Sequence, residues 1–138
     1  LGRPAEHWNI SAGYSYFTAS DATSNDVNTD HPRKLFNLFT TYQFTGQLAG
    51  LTVGTGVNWQ GEMYSNTVNP ITGDTFRLRQ KSYALINLMA RYAINDSLFI
   101  QANIDNLTDE TYFSQVGFFD QYRYGKARNY NISANYQF

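Results

Sequence analysis

The chain has 138 residues, which is enough for one domain, and its formal net charge of −1 gives no reason to expect a nucleic-acid partner. Aromatic residues make up 17% of it and charged residues 15%, so its polar character comes from uncharged side chains such as Asn, Gln, Ser and Thr. It has no cysteine, which excludes disulfides and thiolate metal sites. No stretch is apolar over the roughly 20 residues of a spanning helix, so a closed β-barrel is the one membrane architecture left open.

Alternation of apolar and polar residues recurs along the chain and predicts about six antiparallel β-strands joined as a meander. The polar, turn-rich residues 20–32, 65–77 and 113–121 predict three long loops, and residues 45–50 and 95–97 predict short turns. Long and short connections alternate, as in a membrane barrel with external loops and short periplasmic turns. The prediction is therefore an all-β, antiparallel transmembrane barrel segment with its C-terminus on the periplasmic side. The predicted strands are 8–16, 36–44, 51–63, 84–94, 98–105 and 130–138.

Strand length and charge placement both agree with a barrel wall. About ten residues at roughly 3.3 Å each, tilted by about 45°, cover some 23 Å, close to the apolar band that such barrels need. Arg91 has the parity of the polar residues and so avoids lipid, where a cation at the midplane costs about 2–4 kcal/mol. Six strands leave two open edges, so the rest of a barrel is expected to complete them. Aromatic residues gather at the strand ends, as in interfacial girdles: Trp8, Phe44, Trp59, Tyr92, Tyr136 and Phe138.

Motifs near the C-terminus resemble the signature of TonB-dependent outer-membrane receptors. They are residues 103–112 (NIDNLTDETY), residues 124–130 (YGKARNY) and residues 136–138 (YQF). The family pattern reads approximately N-x-x-N-L-F-D-x-x-Y, then Y-G-x-P-R, then a terminal aromatic residue, and Thr108 and Ala127 depart from it. Four upstream stretches are similar to the ferric-siderophore branch, particularly to receptors for hydroxamate-type ligands: residues 8–16, 28–33, 38–42 and 50–60.

The resemblance implies a barrel of about 22 strands with an N-terminal plug, of which residues 1–138 form the C-terminal portion. It implies uptake of a ferric siderophore through the bacterial outer membrane, driven by the TonB complex acting on the plug, without a covalently bound cofactor. Further implied partners are the rest of the barrel, the barrel-assembly machinery, and outer-membrane lipid and lipopolysaccharide. The alternatives are a passive porin or small structural barrel without a plug, and a soluble lipocalin-like barrel with its apolar residues inside.

Five aromatic and basic residues in or beside the predicted loops are the candidate ligand contacts, because the resemblance implies that external aromatic residues hold the siderophore. The alternative for the third loop is that its aromatic residues pack on one another or form an external girdle. No nucleophile elbow or paired-carboxylate motif is present, so enzymatic chemistry is not expected. The candidates are Phe118, Phe119, Tyr122, Tyr64 and Arg77.

The C-terminal aromatic residues have an implied role in assembly, whereas the acidic and histidine residues do not form a metal-binding pattern. The resemblance implies that Tyr136 and Phe138 form a recognition signal for the barrel-assembly machinery, and the alternative is that they are ordinary interfacial aromatic residues. The acidic residues within 20–32 lack the regular spacing of a calcium loop. His7 and His31 have no third ligand near either of them, so no metal site is expected.

Overall fold

The fold is described from a computed structural model that covers residues 2–69, 71–118 and 121–137, without the side chain of Phe118. Phe119 and Phe138 therefore lie outside the described residues. The described part of the chain contains no helix that is long and apolar enough to cross a membrane. Its strands are β1 (Gly2–Ala5), β2 (Trp8–Tyr16), β3 (Lys34–Gln43), β4 (Leu51–Gln60), β5 (Met63–Val68), β6 (Thr75–Gln80), β7 (Tyr83–Ala93), β8 (Leu98–Asp105), β9 (Phe113–Phe118), β10 (Gln121–Tyr124) and β11 (Asn129–Tyr136).

Seven of these strands form one antiparallel sheet in the order β1, β2, β3, β4, β7, β8, β11. The predicted strands correspond to β2, β3, β4, β7, β8 and β11, so the predicted all-β meander is confirmed. β1 was not predicted, because its four residues show no alternation of apolar and polar side chains. It pairs with β2 at Gly2 and Ala5, with an irregularity between these two positions. Among the described residues, β1 and β11 are the edge strands of this sheet.

The register of the strands gives the sheet two chemically different faces. Leu38, Val57 and Ile86 lie side by side on one face, and Asn37 and Asn58 lie opposite each other on the other. We call the first the apolar face: Trp8, Ile10, Ala12, Tyr14, Phe36, Leu38, Tyr42, Val53, Val57, Trp59, Ile86, Leu88, Ala90, Tyr92, Ile100, Ala102, Ile104, Tyr130, Ile132 and Tyr136. We call the second the polar face: Asn9, Ser11, Asn37, Thr41, Asn58, Gln60, Asn87, Arg91, Gln101, Asn103, Asp105 and Asn131.

Little of the chain covers the apolar face. Ile132 is 77% exposed and Tyr14 is 62% exposed, an arrangement that favours association in water and suits contact with lipid. Arg91 lies on the polar face, as predicted, with its guanidinium 3.8 Å from the centroid of the Phe99 ring. Aromatic residues of the apolar face stand at both ends of the strands, as interfacial girdles do. They are Tyr14, Tyr16, Phe36, Trp59 and Tyr130 at one end and Trp8, Tyr42, Tyr92 and Tyr136 at the other.

The connections between the main strands are short at one end of the sheet and long at the other. We name the long ones loop 1 (residues 17–33), loop 2 (residues 61–82) and loop 3 (residues 106–128). The prediction of loops at residues 65–77 and 113–121 was wrong in part, because much of these two segments belongs to the antiparallel hairpins β5–β6 and β9–β10. The third predicted strand also ended too late, since β4 stops at Gln60 and Met63 begins β5.

Strand β11 brings the end of the chain to the side of the short turns. Tyr136 pairs with Leu98 at the start of β8, and the Gln137 N–H donates to the Ser97 carbonyl at 2.8 Å. The Tyr136 side chain is 62% exposed on the apolar face. An exposed aromatic residue at this position suits either an interfacial girdle or an assembly signal.

Candidate ligand-binding site

The hairpins of loops 2 and 3 share a small hydrophobic core. Met63 of β5 is 1% exposed, Leu78 of β6 is 8% exposed and Val116 of β9 is fully buried. Phe113 is partly buried against them. Burial of such side chains contributes about 1.5–3 kcal/mol each relative to exposure. The two hairpins therefore form one packed unit, which we call the hairpin cluster.

Close backbone contact and hydrogen bonds add to this core. The Phe113 N–H donates to the Gln80 Oε1 at 2.8 Å, which ties β9 to the end of β6. Gly117 has a φ of 85° and faces Ser65, whose Cβ would lie 2.2 Å from any Cβ at position 117. Only glycine satisfies both conditions, because the positive φ disfavours other residues and the space is filled. The hairpins are therefore held at van der Waals distance along β5 and β9.

Loop 1 joins the cluster through its own anchored turn. The Tyr64 N–H donates to the Thr29 carbonyl at 2.7 Å, which links loop 1 to β5. Arg33 holds loop 1 together, because its guanidinium pairs with the Asp26 carboxylate at 3.0 Å and donates to the carbonyl of Ala19 at 3.2 Å. All three long loops are thus connected at the same end of the sheet.

The tip of loop 1 is closed by Asp21. Its carboxylate accepts hydrogen bonds from the backbone N–H of Asn25 at 2.9 Å and from the backbone N–H and hydroxyl of Thr23, each at 2.8 Å. The Asn25 backbone N–H and then the Thr23 hydroxyl favour the charged form and lower the pKa of Asp21 to about 2. This carboxylate therefore stays ionised at physiological pH and acts as a turn cap.

The base of loop 3 is built around Asn106, the second Asn of the NIDNLTD motif. Asn106 is 3% exposed and adopts a φ of 52°, which asparagine tolerates better than most residues. Its Nδ2 donates to the carbonyls of Glu110 at 2.9 Å and Lys126 at 3.1 Å, and its Oδ1 accepts from the Glu110 N–H at 2.8 Å. Its backbone N–H donates to the Asn87 Oδ1 at 2.9 Å. Asn106 thus fastens both ends of loop 3 to β7.

The described candidate ligand residues fall into two groups. The Arg77 guanidinium lies 4.2 Å from the centroid of the Tyr64 ring and donates from Nε to the Asn66 Oδ1 at 3.0 Å. The Tyr122 ring stacks on the Phe113 ring, with the two ring centroids 4.2 Å apart. Within the described residues, no hydrogen bond or ring contact joins these two groups. Their joint role as ligand contacts therefore stays a prediction.

The Tyr122 hydroxyl also has a structural partner, because it accepts a hydrogen bond from the Arg79 N–H at 3.1 Å. Tyr122 therefore contacts Phe113 of its own loop and Arg79 of loop 2, and neither contact tests its role towards a ligand. The Phe118 side chain and the whole of Phe119 lie outside the described residues. Their role as ligand contacts stays a prediction.

Sequence reasoning missed a tyrosine pair on the polar side of the sheet. Tyr83 and Tyr112 stack with ring centroids 4.5 Å apart, and the Tyr83 hydroxyl donates to the Gln60 Oε1 at 3.1 Å. Together with Asn37 and Asn58 they line a cavity of about 290 Å³ below loop 3. Tyr83 has the parity of the polar face, so the alternation pattern could have indicated it, whereas Tyr112 belongs to the loop motif and no alternation marks it.

The polar face continues this cavity towards the middle of the sheet. A second depression of about 540 Å³ is lined by Asn37, Asn58, Asn87, Gln101 and Asn103, among others. Amide side chains offer both donors and acceptors of hydrogen bonds. The wall below the hairpin cluster is therefore rich in hydrogen-bonding groups and holds few charges of its own.

Three of the known proteins that this chain resembles are named as receptors for ferric ligands. The ferric-pyoverdine BN7/BN8 receptor of Pseudomonas putida is 42% identical over 137 residues, which is 99% of this chain and 16% of that protein. The crystal structure of the ferripyoverdine receptor of the outer membrane of Pseudomonas aeruginosa bound to ferripyoverdine aligns with a TM-score of 0.92 and 36% identity, over 98% of this chain and 18% of that chain. The ferric-catecholate import receptor Fiu of E. coli K12 aligns with a TM-score of 0.81 and 25% identity, over 99% of this chain and 20% of that chain.

These relatives carry the names of receptors, not of enzymes or porins, in agreement with the sequence expectation. The chain spans less than a fifth of the length of the Pseudomonas putida relative. The profile of the family described as TonB dependent receptor-like, beta-barrel, matches residues 2–107. This match covers most of the main sheet and the β5–β6 hairpin. The chain belongs to the TonB-dependent receptor β-barrel family.

Proposed function

We propose that this chain forms the C-terminal portion of the barrel of an outer-membrane receptor that imports a ferric siderophore. The observation that carries the proposal is the hairpin cluster standing over a polar, mostly uncharged wall at one end of the sheet. Receptors named for ferric pyoverdine among the relatives support it. Because the chain is only 16% of the length of one such relative, other strands and a plug complete the ligand pocket.

A ferric pyoverdine is the ligand we propose to test first. The sequence resemblance implied a hydroxamate-type ligand, whereas the Pseudomonas relatives are named for pyoverdine, which is a different type of siderophore. The amide side chains of Asn37, Asn58 and Gln60 suit a ligand with many hydrogen-bonding groups. A ferric hydroxamate is the second ligand to test.

The proposed orientation places the long loops outside the cell and the short turns in the periplasm. It is supported by the usual length difference between the two kinds of connection in such barrels. β11 then ends in the periplasm, where the assembly machinery would recognise Tyr136 and Phe138. Lipid and lipopolysaccharide would surround the apolar face, and about 22 strands would close the barrel around a plug that the TonB complex pulls.

Uptake in living cells tests the proposed function. A strain whose other siderophore receptors are deleted is expected to take up radiolabelled iron from ferric pyoverdine only when it expresses the full-length receptor. The same strain without TonB is expected to lose this uptake while it keeps binding the ligand at its surface. Iron entry that continues without TonB would indicate the alternative, a passive porin. An absence of binding with every ferric siderophore tried would contradict the receptor function itself.

We further propose that the residues named in the sequence analysis contact the ligand: Phe118, Phe119, Tyr122, Tyr64 and Arg77. Removing residues 113–121 is a poor test, because it also takes Phe113 and Val116 out of the hairpin cluster. The double substitution Phe118→Ala with Phe119→Ala is expected to weaken ferric-pyoverdine binding about tenfold or more, as loss of aromatic anchors does. Binding is measured by titration of the full-length receptor.

The matched control is Phe76→Ala, which removes an aromatic ring that is 45% exposed on the neighbouring hairpin. Its expected change in affinity is less than threefold, within the range of near-neutral surface contacts. An equal loss of affinity in the control and in the double variant would argue against a specific role for Phe118 and Phe119.

A further inference from the structure

Lys34 is a cation at the loop end of the apolar face. It begins β3, pairs with Tyr16 of β2 and has the parity of Phe36, so its side chain starts on the lipid side of the sheet. It is exposed. A lysine in this position keeps its hydrocarbon stem against the apolar surface while its ammonium group reaches the level of the lipid headgroups.

A cavity of about 440 Å³ lies beside Lys34, between loop 1 and the beginning of loop 2. Trp59 of the apolar face lines it, as do Tyr64 and Ser82. Gly61 also lines the cavity and has no side chain to occupy it. Its N–H donates to the Lys34 carbonyl at 2.8 Å, and a Cβ at position 61 would lie 3.2 Å from the Lys34 Cβ. Because Lys34 and Trp59 belong to the lipid side, the cavity lies at the level of the aromatic girdle near the loops.

Within the described residues, the Lys34 side chain differs from the other acidic and basic residues that line this cavity in its lack of a partner. The Asp26 carboxylate is paired with Arg33, and the Glu62 carboxylate is paired with Arg79. In the described part of the chain, the Lys34 ammonium has neither an ion-pair nor a hydrogen-bond partner. Two cations, Arg33 and Lys34, and two carboxylates, Asp26 and Glu62, line the cavity, and Glu62 takes its partner Arg79 from outside the lining. Among the residues that the structure describes, Lys34 is therefore left as a lining cation without a carboxylate partner.

We propose that this cavity binds the phosphate of a phosphorylated lipid headgroup, with the Lys34 ammonium as its counter-charge. The proposal rests on the proposed function, because it requires the loops to stand on the outer side of the outer membrane. The hydroxyls of Tyr64 and Ser82 line the same cavity and would donate to the remaining phosphate oxygens. A lipid is favoured over free phosphate because Trp59 and its cross-strand neighbour Phe36 offer apolar surface to acyl chains.

Lipid binding to the full-length receptor in detergent micelles tests this site. The probes are a lipid A carrying two phosphates, the same lipid after phosphatase treatment, and inorganic phosphate. Lys34→Gln is expected to weaken binding of the phosphorylated lipid about tenfold, because one charge-assisted contact is lost. It is expected to leave binding of the dephosphorylated lipid unchanged. Lys34→Arg is expected to restore most of the affinity.

Lys81→Gln is the matched control, because it removes the same charge from an exposed residue of loop 2 that does not line the cavity. Its expected change is less than twofold. Equal weakening by Lys34→Gln and Lys81→Gln would overturn the site, and so would displacement of the lipid by millimolar inorganic phosphate. Ferric-pyoverdine affinity is measured in the same samples. A loss of ferric-pyoverdine affinity in Lys34→Gln, with lipid binding intact, would instead assign the cavity to the siderophore.

Discussion

Replacing Asn106 with alanine in the full-length receptor is expected to lower the free energy of unfolding by about 3 kcal/mol. The substitution removes three side-chain hydrogen bonds and leaves the Glu110 N–H and the carbonyls of Glu110 and Lys126 without their partner. It also places alanine at a φ of 52°, where its Cβ is strained. The measurement is chemical denaturation in detergent micelles, followed by the intrinsic fluorescence of the receptor.

Two further substitutions separate the causes of this loss. Asn106→Gly removes the amide but accepts the positive φ, so it is expected to recover about 1 kcal/mol relative to alanine. Asn131→Ala changes the same residue type at an exposed position of β11 and is expected to stay within about 0.5 kcal/mol of the unmodified receptor. If Asn106→Ala were as mild as Asn131→Ala, the hydrogen bonds at the base of loop 3 would not stabilise the fold as argued.

The main sheet could be predicted because a single rule governs each of its strands. One face meets lipid and the other a polar interior, so alternation fixes both the strand and its orientation. The predicted limits of the first and fifth runs, 8–16 and 98–105, coincide with β2 and β8. Exceptions such as Phe39 and Met89, which have the parity of the polar face, did not hide the pattern.

The hairpins of loops 2 and 3 could not be predicted by the same rule. Their buried positions include Thr67, which is 4% exposed, and Gln80, which is 9% exposed, beside Met63 and Leu78. Two polar residues among the buried ones erase the alternation that marks a strand. The packing partner is also distant in sequence, since Val116 completes the core from loop 3. Local patterns therefore gave loops where the chain builds a tertiary cluster.

The candidate residues could be named from the sequence, but the contacts between them could not, because those contacts also join segments that are distant in sequence. Tyr64 and Arg77 were found as separate loop residues, and their contact follows from the pairing of β5 with β6, which no local pattern revealed. The stack of Tyr83, at the start of β7, on Tyr112 of loop 3 likewise joins residues that are distant in sequence. Residue types and loop positions can be read from sequence, whereas their pairing requires the fold.

Placing an aspartate at Val116 is expected to separate the two hairpins and to weaken ferric-siderophore binding about tenfold or more. Val116 is fully buried against Met63 and Leu78. A carboxylate at this position costs about 4 kcal/mol unless the two hairpins separate and expose it to water. The main strands pair without the cluster, so the hairpins open locally while the barrel stays folded. If the ligand needs the packed arrangement, its apparent affinity falls with the fraction of receptors that keep it.

Hydrogen exchange measures this opening directly. In Val116→Asp, exchange is expected to rise over residues 63–80 and 113–118 and to stay slow over residues 84–105. Val68→Asp introduces the same charge at a position of β5 that is 56% exposed and is expected to change neither exchange nor affinity. Val116→Ala leaves a smaller defect, so its effects on exchange and affinity should both fall between those of the unmodified receptor and the aspartate variant. Affinity that fell while hairpin exchange stayed slow would contradict the coupling, because both readouts report the same opening equilibrium.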